Sequence, residues 1–141
     1  MTVWDSQAIL VYLARKYDSA NTWLSADPVG QAHVTQWLSF AAKEIWDGPA
    51  LASAIPKFNR PGDHAVAQEL ARGVFQVLED HLDNRVWLVC DGPTIADIAV
   101  YPYVGLVWEG QVPLDPYPAV IAWMRRIEAL PNYVEMDGLP H

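Results

Sequence analysis

The residues able to do chemistry are few and scattered. Histidines stand at 33, 64, 81 and 141. No two of them have the i, i+3 or i, i+4 spacing that would bring a pair of imidazoles to one helix face around a metal. His33, His64, His81 and His141 therefore read as surface residues, and no metal site is expected. Cys90 is the single cysteine, so a thiolate cluster and an intrachain disulfide are both excluded. It sits in a short apolar run beside a helix start, where an inert buried thiol belongs, and one lone cysteine fits a reducing cytoplasm. Glu79 and Asp80 are adjacent on a helix and point apart, so they read as a solvated face and not as an acid–base pair. There is no glycine-rich phosphate loop and no Gly-x-Ser-x-Gly elbow. Two helix starts remain. Asp5-Ser6 can cap a first helix, and Thr94 with Asp97 three residues on has the spacing of a capping box. Lys43, near Trp46, interrupts an apolar stripe. It is either a solvent-side lysine or a contact for an anionic ligand.

The elements that would carry these residues are helices. After an extended, apolar start over 1–4, the spacing predicts a helix running to about Tyr17, with Ala8, Ile9, Tyr12 and Leu13 on its inner face. Asp27 caps and Pro28 begins the next, whose stripe is Val34, Trp37, Leu38, Ala41, Ala42 and Ile45. Asp47-Gly48-Pro49 is expected to bend or end it, and Pro56 to finish any continuation. Asp63 opens a third helix to about Asp83 with Leu70, Val74, Val77, Leu78 and Leu82 inward. Residues 87–90 read as an extended strap. The stretch 98–108 that follows Asp97 has no charge at all, and a helix apolar on every side belongs at the centre of a core. Pro102 should kink it. A last helix over about 117–130 turns Val120, Ile121, Met124 and Ile127 inward, and the tail to His141 is expected to be loose. Five substantial helices and no convincing sheet predict an all-α bundle.

Composition sets the outer limits. At 141 residues the chain suits one folding unit that buries roughly two-thirds of its unfolded surface. Hydrophobic residues make up 52% and charged residues 18%, a globular balance. The net charge of −8 opposes nucleic acid and anionic membrane surfaces as partners, since both need basic patches. Arg125-Arg126 is the one tight basic pair and reads as a solvated helix face. No apolar run reaches the ~20 residues of a membrane span, and the N-terminus lacks the basic start of a signal peptide. Seven tryptophans and six tyrosines fill the core or line an apolar pocket or subunit interface.

Three segments in order resemble one family. Val3-Trp-Asp-Ser-Gln-Ala-Ile-Leu-Val-Tyr-Leu-Ala-Arg-Lys-Tyr17 is similar to the last strand and third helix of the thioredoxin-like N-terminal domain of glutathione S-transferases. Pro93-Thr-Ile-Ala-Asp-Ile98 resembles the capping box of that family's C-terminal helical domain. The stretch from Pro116 through Trp123 to Pro131 resembles the helix that follows it. The resemblance implies an all-α bundle of the glutathione S-transferase C-terminal type with a leftover N-terminal helix. Residues 1–18 would be the remnant of the thioredoxin-like domain and 19–141 the helical domain.

The same resemblance implies where glutathione would touch. Asp5 and Ser6 match the acidic-Ser pair that holds its γ-glutamyl end; a hydroxyl and free N–H groups at a helix start suit a carboxylate, and an acid suits an amine. The plainer reading is that Asp5 or Ser6 only caps its helix. Trp37, Phe40, Lys43, Tyr103 and Trp108 are candidates for the hydrophobic substrate wall, or else core. The residue that activates the glutathione thiol has no counterpart here, so the chain alone is expected to be catalytically incomplete, an N-terminally truncated form or one begun at an alternative Met1. Expected partners are a second copy or another protein on an exposed apolar face, as in transferase-like domains of translation factor complexes, with glutathione or a small hydrophobic molecule as a weak ligand. Conjugation of glutathione to hydrophobic electrophiles is the alternative, with the N-terminal domain supplied in a longer product or in trans.

Overall fold

The computed structural model describes residues 2–139; Met1 and His141, on which two of the expectations above fall, lie outside them. Six α-helices run α1 (Ser6–Tyr17), α2 (Pro28–Phe40), α3 (Leu51–Phe58), α4 (His64–Leu82), α5 (Ile95–Gly105) and α6 (Pro118–Glu128). A π-helical segment, Ala41–Ala50, joins α2 to α3, and a 3-10 turn, Val107–Gly110, follows α5. No strand occurs among the described residues, so the all-α expectation holds. The core centres on Trp123, Phe75, Ile45 and Leu78, all fully buried.

Asp47-Gly48-Pro49 does not end its helix. The rod is continuous from Pro28 to Phe58, with Pro49 inside the π segment and Pro56 inside α3. Pro49 has no N–H to give, and the wider π register absorbs the missing bond, a usual place for such bulges. The rod stops at Asn59, which takes the left-handed conformation at φ 49°. Gly48 then serves packing. A Cβ there would lie 2.9 Å from the Ala71 backbone nitrogen, so only glycine lets the π segment sit this close to α4.

Two predicted faces are turned. In α1 only Ala14 is buried, while Ile9 and Leu13 are exposed. Leu10 and Ala14, four residues apart, meet α5 instead. The helix is apolar on more than one side and has one neighbour to cover it. Arg15 fixes its end, donating to the carbonyls of Leu24 and Ser25. In α4 the inward set is Ala67, Ala71, Val74, Phe75, Leu78 and Leu82, and Leu70 and Val77 stand about half exposed. Small alanines at 67 and 71 let α4 approach the π segment closely, which rotates the larger Leu70 and Val77 outward. Helix α5 is also not buried on every side: it ends at Gly105, and Tyr103 is 40% and Trp108 49% exposed.

Glu79 is no solvated carboxylate. It is half-buried and caps α6 from across the bundle: Oε1 accepts from Ala119 N and Oε2 from Val120 N, each at 3.0 Å. Helix α6 has no side-chain cap of its own. Glu79→Ala is therefore expected to cost about 1–2 kcal/mol, the upper range for a lost cap, measured by urea denaturation, whereas Asp80→Ala should change little. Equal effects of the two would remove the capping role.

The described part of the C-terminal tail, to Leu139, is not loose. Tyr133 reaches the Tyr101 hydroxyl at 2.7 Å, and Trp108 Nε1 donates to Gly138 O at 2.7 Å. Leu139 lies over Gly105, where an added Cβ would meet it at 3.0 Å. The tail is apolar enough at Tyr133, Met136 and Leu139 to pack along α5 after the Pro131 stop.

Candidate functional site

The start of α1 combines strain with capping. Asp5 has φ 77° and ψ 127°, a left-handed backbone that an aspartate adopts only at a cost. Its Oδ1 accepts from Gln7 N at 3.0 Å and Ala8 N at 3.1 Å. Ser6 Oγ donates to Gln7 Oε1 at 2.7 Å. Both residues are exposed. Capping uses Oδ1 of Asp5, and its other carboxylate oxygen could take an amine; the Ser6 hydroxyl would have to leave Gln7 Oε1 before it could donate to a ligand carboxylate.

The five wall candidates do not come together. Trp37 and Phe40 pack edge to face at 5.2 Å and, with Lys43, line a cavity of about 480 Å3 between α2 and α4 that also takes in Val77 and His81. Lys43 is exposed and ion-paired to Asp47 one turn on, and that bond, with the Asp47 charge, holds its ammonium above the ordinary lysine pKa. Tyr103 lies elsewhere, edge-on to Trp46 at 6.3 Å, with the Arg60 guanidinium over Trp46 at 5.7 Å. Trp108 is bound to the tail through Gly138. Trp46 is the aromatic that sequence reasoning missed. Its signal was a large exposed ring next to buried Ile45, off the stripe that α2 and the π segment turn inward.

Thr94 and Asp97 form a reciprocal capping box at the start of α5. Thr94 Oγ1 accepts from Ala96 N at 3.2 Å, and Asp97 Oδ2 accepts from Thr94 N at 2.8 Å. Asp97 does more than cap. Its Oδ1 also accepts from Leu88 N at 3.1 Å and Trp123 Nε1 at 2.9 Å. One carboxylate thus ties the 87–90 strap and α6 to α5.

Cys90 is exposed, with φ 59°, and not the buried thiol the apolar run predicts. Trp87, Leu88 and Val89 take the buried places, and the chain turns outward before the Thr94 cap. Of the histidines, His33 is exposed, but His64 and His81 are half-buried, bonded to Gly110 O and Leu88 O respectively. Among the described residues no group of three or more potential ligands gathers as a metal site, and no helix is long and apolar enough to cross a membrane.

The family model for the glutathione S-transferase C-terminal domain matches residues 48–131. This chain belongs to the glutathione S-transferase family. Glutathione S-transferase verG of Clonostachys rogersoniana is 28% identical over 150 residues, covering 96% of this chain and 62% of that protein. Disulfide-bond oxidoreductase YfcG of Escherichia coli is 30% identical over 141 residues, covering 93% and 61%. Among solved structures, a glutathione S-transferase from Xanthobacter autotrophicus Py2 superposes with a TM-score of 0.88 at 29% identity, over 96% of this chain and 67% of that one. The chain spans less than two-thirds of the length of each of these two relatives.

Proposed function

We propose that these 141 residues form the helical half of a glutathione transferase-like protein, a binding and interaction module that does not complete the reaction alone. Residues 1–18 are the end of a thioredoxin-like domain and 19–141 the helical domain. The carrying observation is the apolar surface of the first segment. Trp4 is 83% exposed and Tyr17 68% exposed, and Ile9, Val11 and Leu13 are exposed beside them, a cover for a neighbour and not for solvent. The strained Asp5 and Ser6 hold the γ-glutamyl end of glutathione, and Trp46 with Tyr103 forms the wall against a hydrophobic electrophile. Trp37, Phe40 and Lys43 belong to a different surface, where Phe40, Val66, Leu70 and Val77 make an apolar groove suited to a second copy in the cytoplasm.

The test is a conjugation assay with glutathione and an aryl halide. The 141-residue chain should show no turnover, and glutathione should bind no tighter than about 1 mM, near −4 kcal/mol, weakening further in Ser6→Ala. Turnover by this chain alone would overturn the reading. A thioredoxin-like domain fused ahead of Val3 should restore turnover, which is the alternative reading of the chain as part of an active transferase. Light scattering should show dimers that Leu70→Glu converts to monomers; a strict monomer at high concentration would remove the second copy.

A further inference from the structure

A third cavity, of about 530 Å3, lies apart from Asp5 and Trp46, between the outer face of α5 and the segment after α6. Its walls include Trp23, Ile98, Pro102, Leu130, Val134 and Met136, and the rings of Tyr101 and Tyr133 also line it. A mostly apolar cavity of this size with a few convergent polar groups is the usual form of a small-molecule site.

The polar groups can be assigned proton by proton. Tyr101 is 4% exposed. Its hydroxyl lies 3.0 Å from Glu128 Oε1 and 2.7 Å from the Tyr133 hydroxyl. Burial, first, and then the bonds to Tyr133 and Glu128 hold its pKa far above the ordinary tyrosine value, so it keeps its proton. A carboxylate can only accept. The single Tyr101 proton therefore goes to Glu128, and Tyr133 gives its own proton to the Tyr101 oxygen. The Tyr133 oxygen is left with lone pairs and no proton to offer. Tyr133, which lines the apolar cavity, thus carries an acceptor oxygen, bonded through Tyr101 to the Glu128 carboxylate.

From this juxtaposition we propose that the cavity binds a neutral or cationic, largely apolar small molecule bearing one hydroxyl or amine, whose proton is donated to the Tyr133 hydroxyl oxygen. An acceptor-only molecule finds no donor at the Tyr133 oxygen. An anion finds only lone pairs at the Tyr133 oxygen, on a protein of net charge −8. The proposal does not rest on glutathione binding or on any transferase reaction.

Four probes on one ring system separate the possibilities. The full chain is titrated with 1-naphthol, 1-naphthylamine, 1-methoxynaphthalene and 1-naphthoate, with binding followed by backbone amide NMR. Naphthol and naphthylamine should bind saturably, about five- to tenfold tighter than methoxynaphthalene, the worth of one hydrogen bond, and naphthoate weakest. Shifts should centre on Ile98, Tyr133 and Met136. Tyr101→Phe frees the Tyr133 proton, so Tyr133 can donate as well as accept and the preference for naphthol over methoxynaphthalene should collapse towards one. Met136→Trp fills the cavity and should abolish binding with Tyr133 intact. Absence of saturable binding, shifts centred on the α2–α4 groove, or a naphthol preference unchanged in Tyr101→Phe would each overturn the assignment.

Discussion

Asp97→Ala should remove about 4 kcal/mol of stability or more, since four buried donors each worth about 1–3 kcal/mol lose their acceptor. Asp97 is wholly buried. Alanine leaves the N–H groups of Thr94 and Leu88, the Thr94 hydroxyl and the indole N–H of Trp123 without the acceptor they share. A capping role alone would cost only about 1–2 kcal/mol. The difference matters because a domain of this size has about 5–15 kcal/mol in total, so the variant should be partly unfolded at 37 °C. Urea denaturation followed by far-UV circular dichroism measures it. Thr94→Ala, which removes only part of the box, should cost about 1 kcal/mol. If Asp97→Ala costs no more than Thr94→Ala, the carboxylate caps α5 and does not hold the strap and α6.

Gly48→Val should cost about 3 kcal/mol or more, the upper end of overpacking in a close-packed interior. The new Cβ would fall 2.9 Å from Ala71 N, 3.0 Å from Leu70 C and 3.1 Å from Ala71 Cα. These are backbone atoms of a nineteen-residue helix, so no side chain can swing aside. The π segment and α4 must separate, and the cavities left behind add to the cost. Thermal unfolding is the measurement, with Gly73→Ala as the control. Gly73 has open space around its would-be Cβ and lies inside α4, where alanine is the better helix former, so that variant should be neutral or stabilised. A tolerated Gly48→Val would mean that the interface is looser than its geometry.

Local chemistry was legible in the residues. Asp27-Pro28, Asp63 and the Thr94–Asp97 box start helices where short-range hydrogen bonds dictate, because a cap and the backbone N–H it accepts from lie within four residues of each other. The all-α class followed from apolar periodicity, and the family from three motifs in order. Of the candidate site, Asp5 and Ser6 were visible as a motif, but the strain at φ 77° was not.

What only tertiary structure decided lay wherever two elements compete for one face. Asp47-Gly48-Pro49 reads as a break, since glycine and proline weaken a lone helix. Packing on α4 reverses that, because a missing side chain permits closer approach and a π register tolerates the proline. Glu79 and Asp80 are alike in sequence, and only the position of α6 makes one a cap and the other a surface charge. Leu70 and Val77 satisfy a helical stripe as well as Ala67 and Ala71 do; the small residues face inward because contact distance, and not hydrophobicity, chooses between them. By itself the sequence determined the all-α class, where α1, α2, α4, α5 and α6 begin and which family they belong to, since those depend on neighbours a few residues away. Which faces they bury, where Trp46 meets Tyr103, and how Asp97 reaches Trp123 twenty-six residues on depend on distances that exist only once the chain has folded.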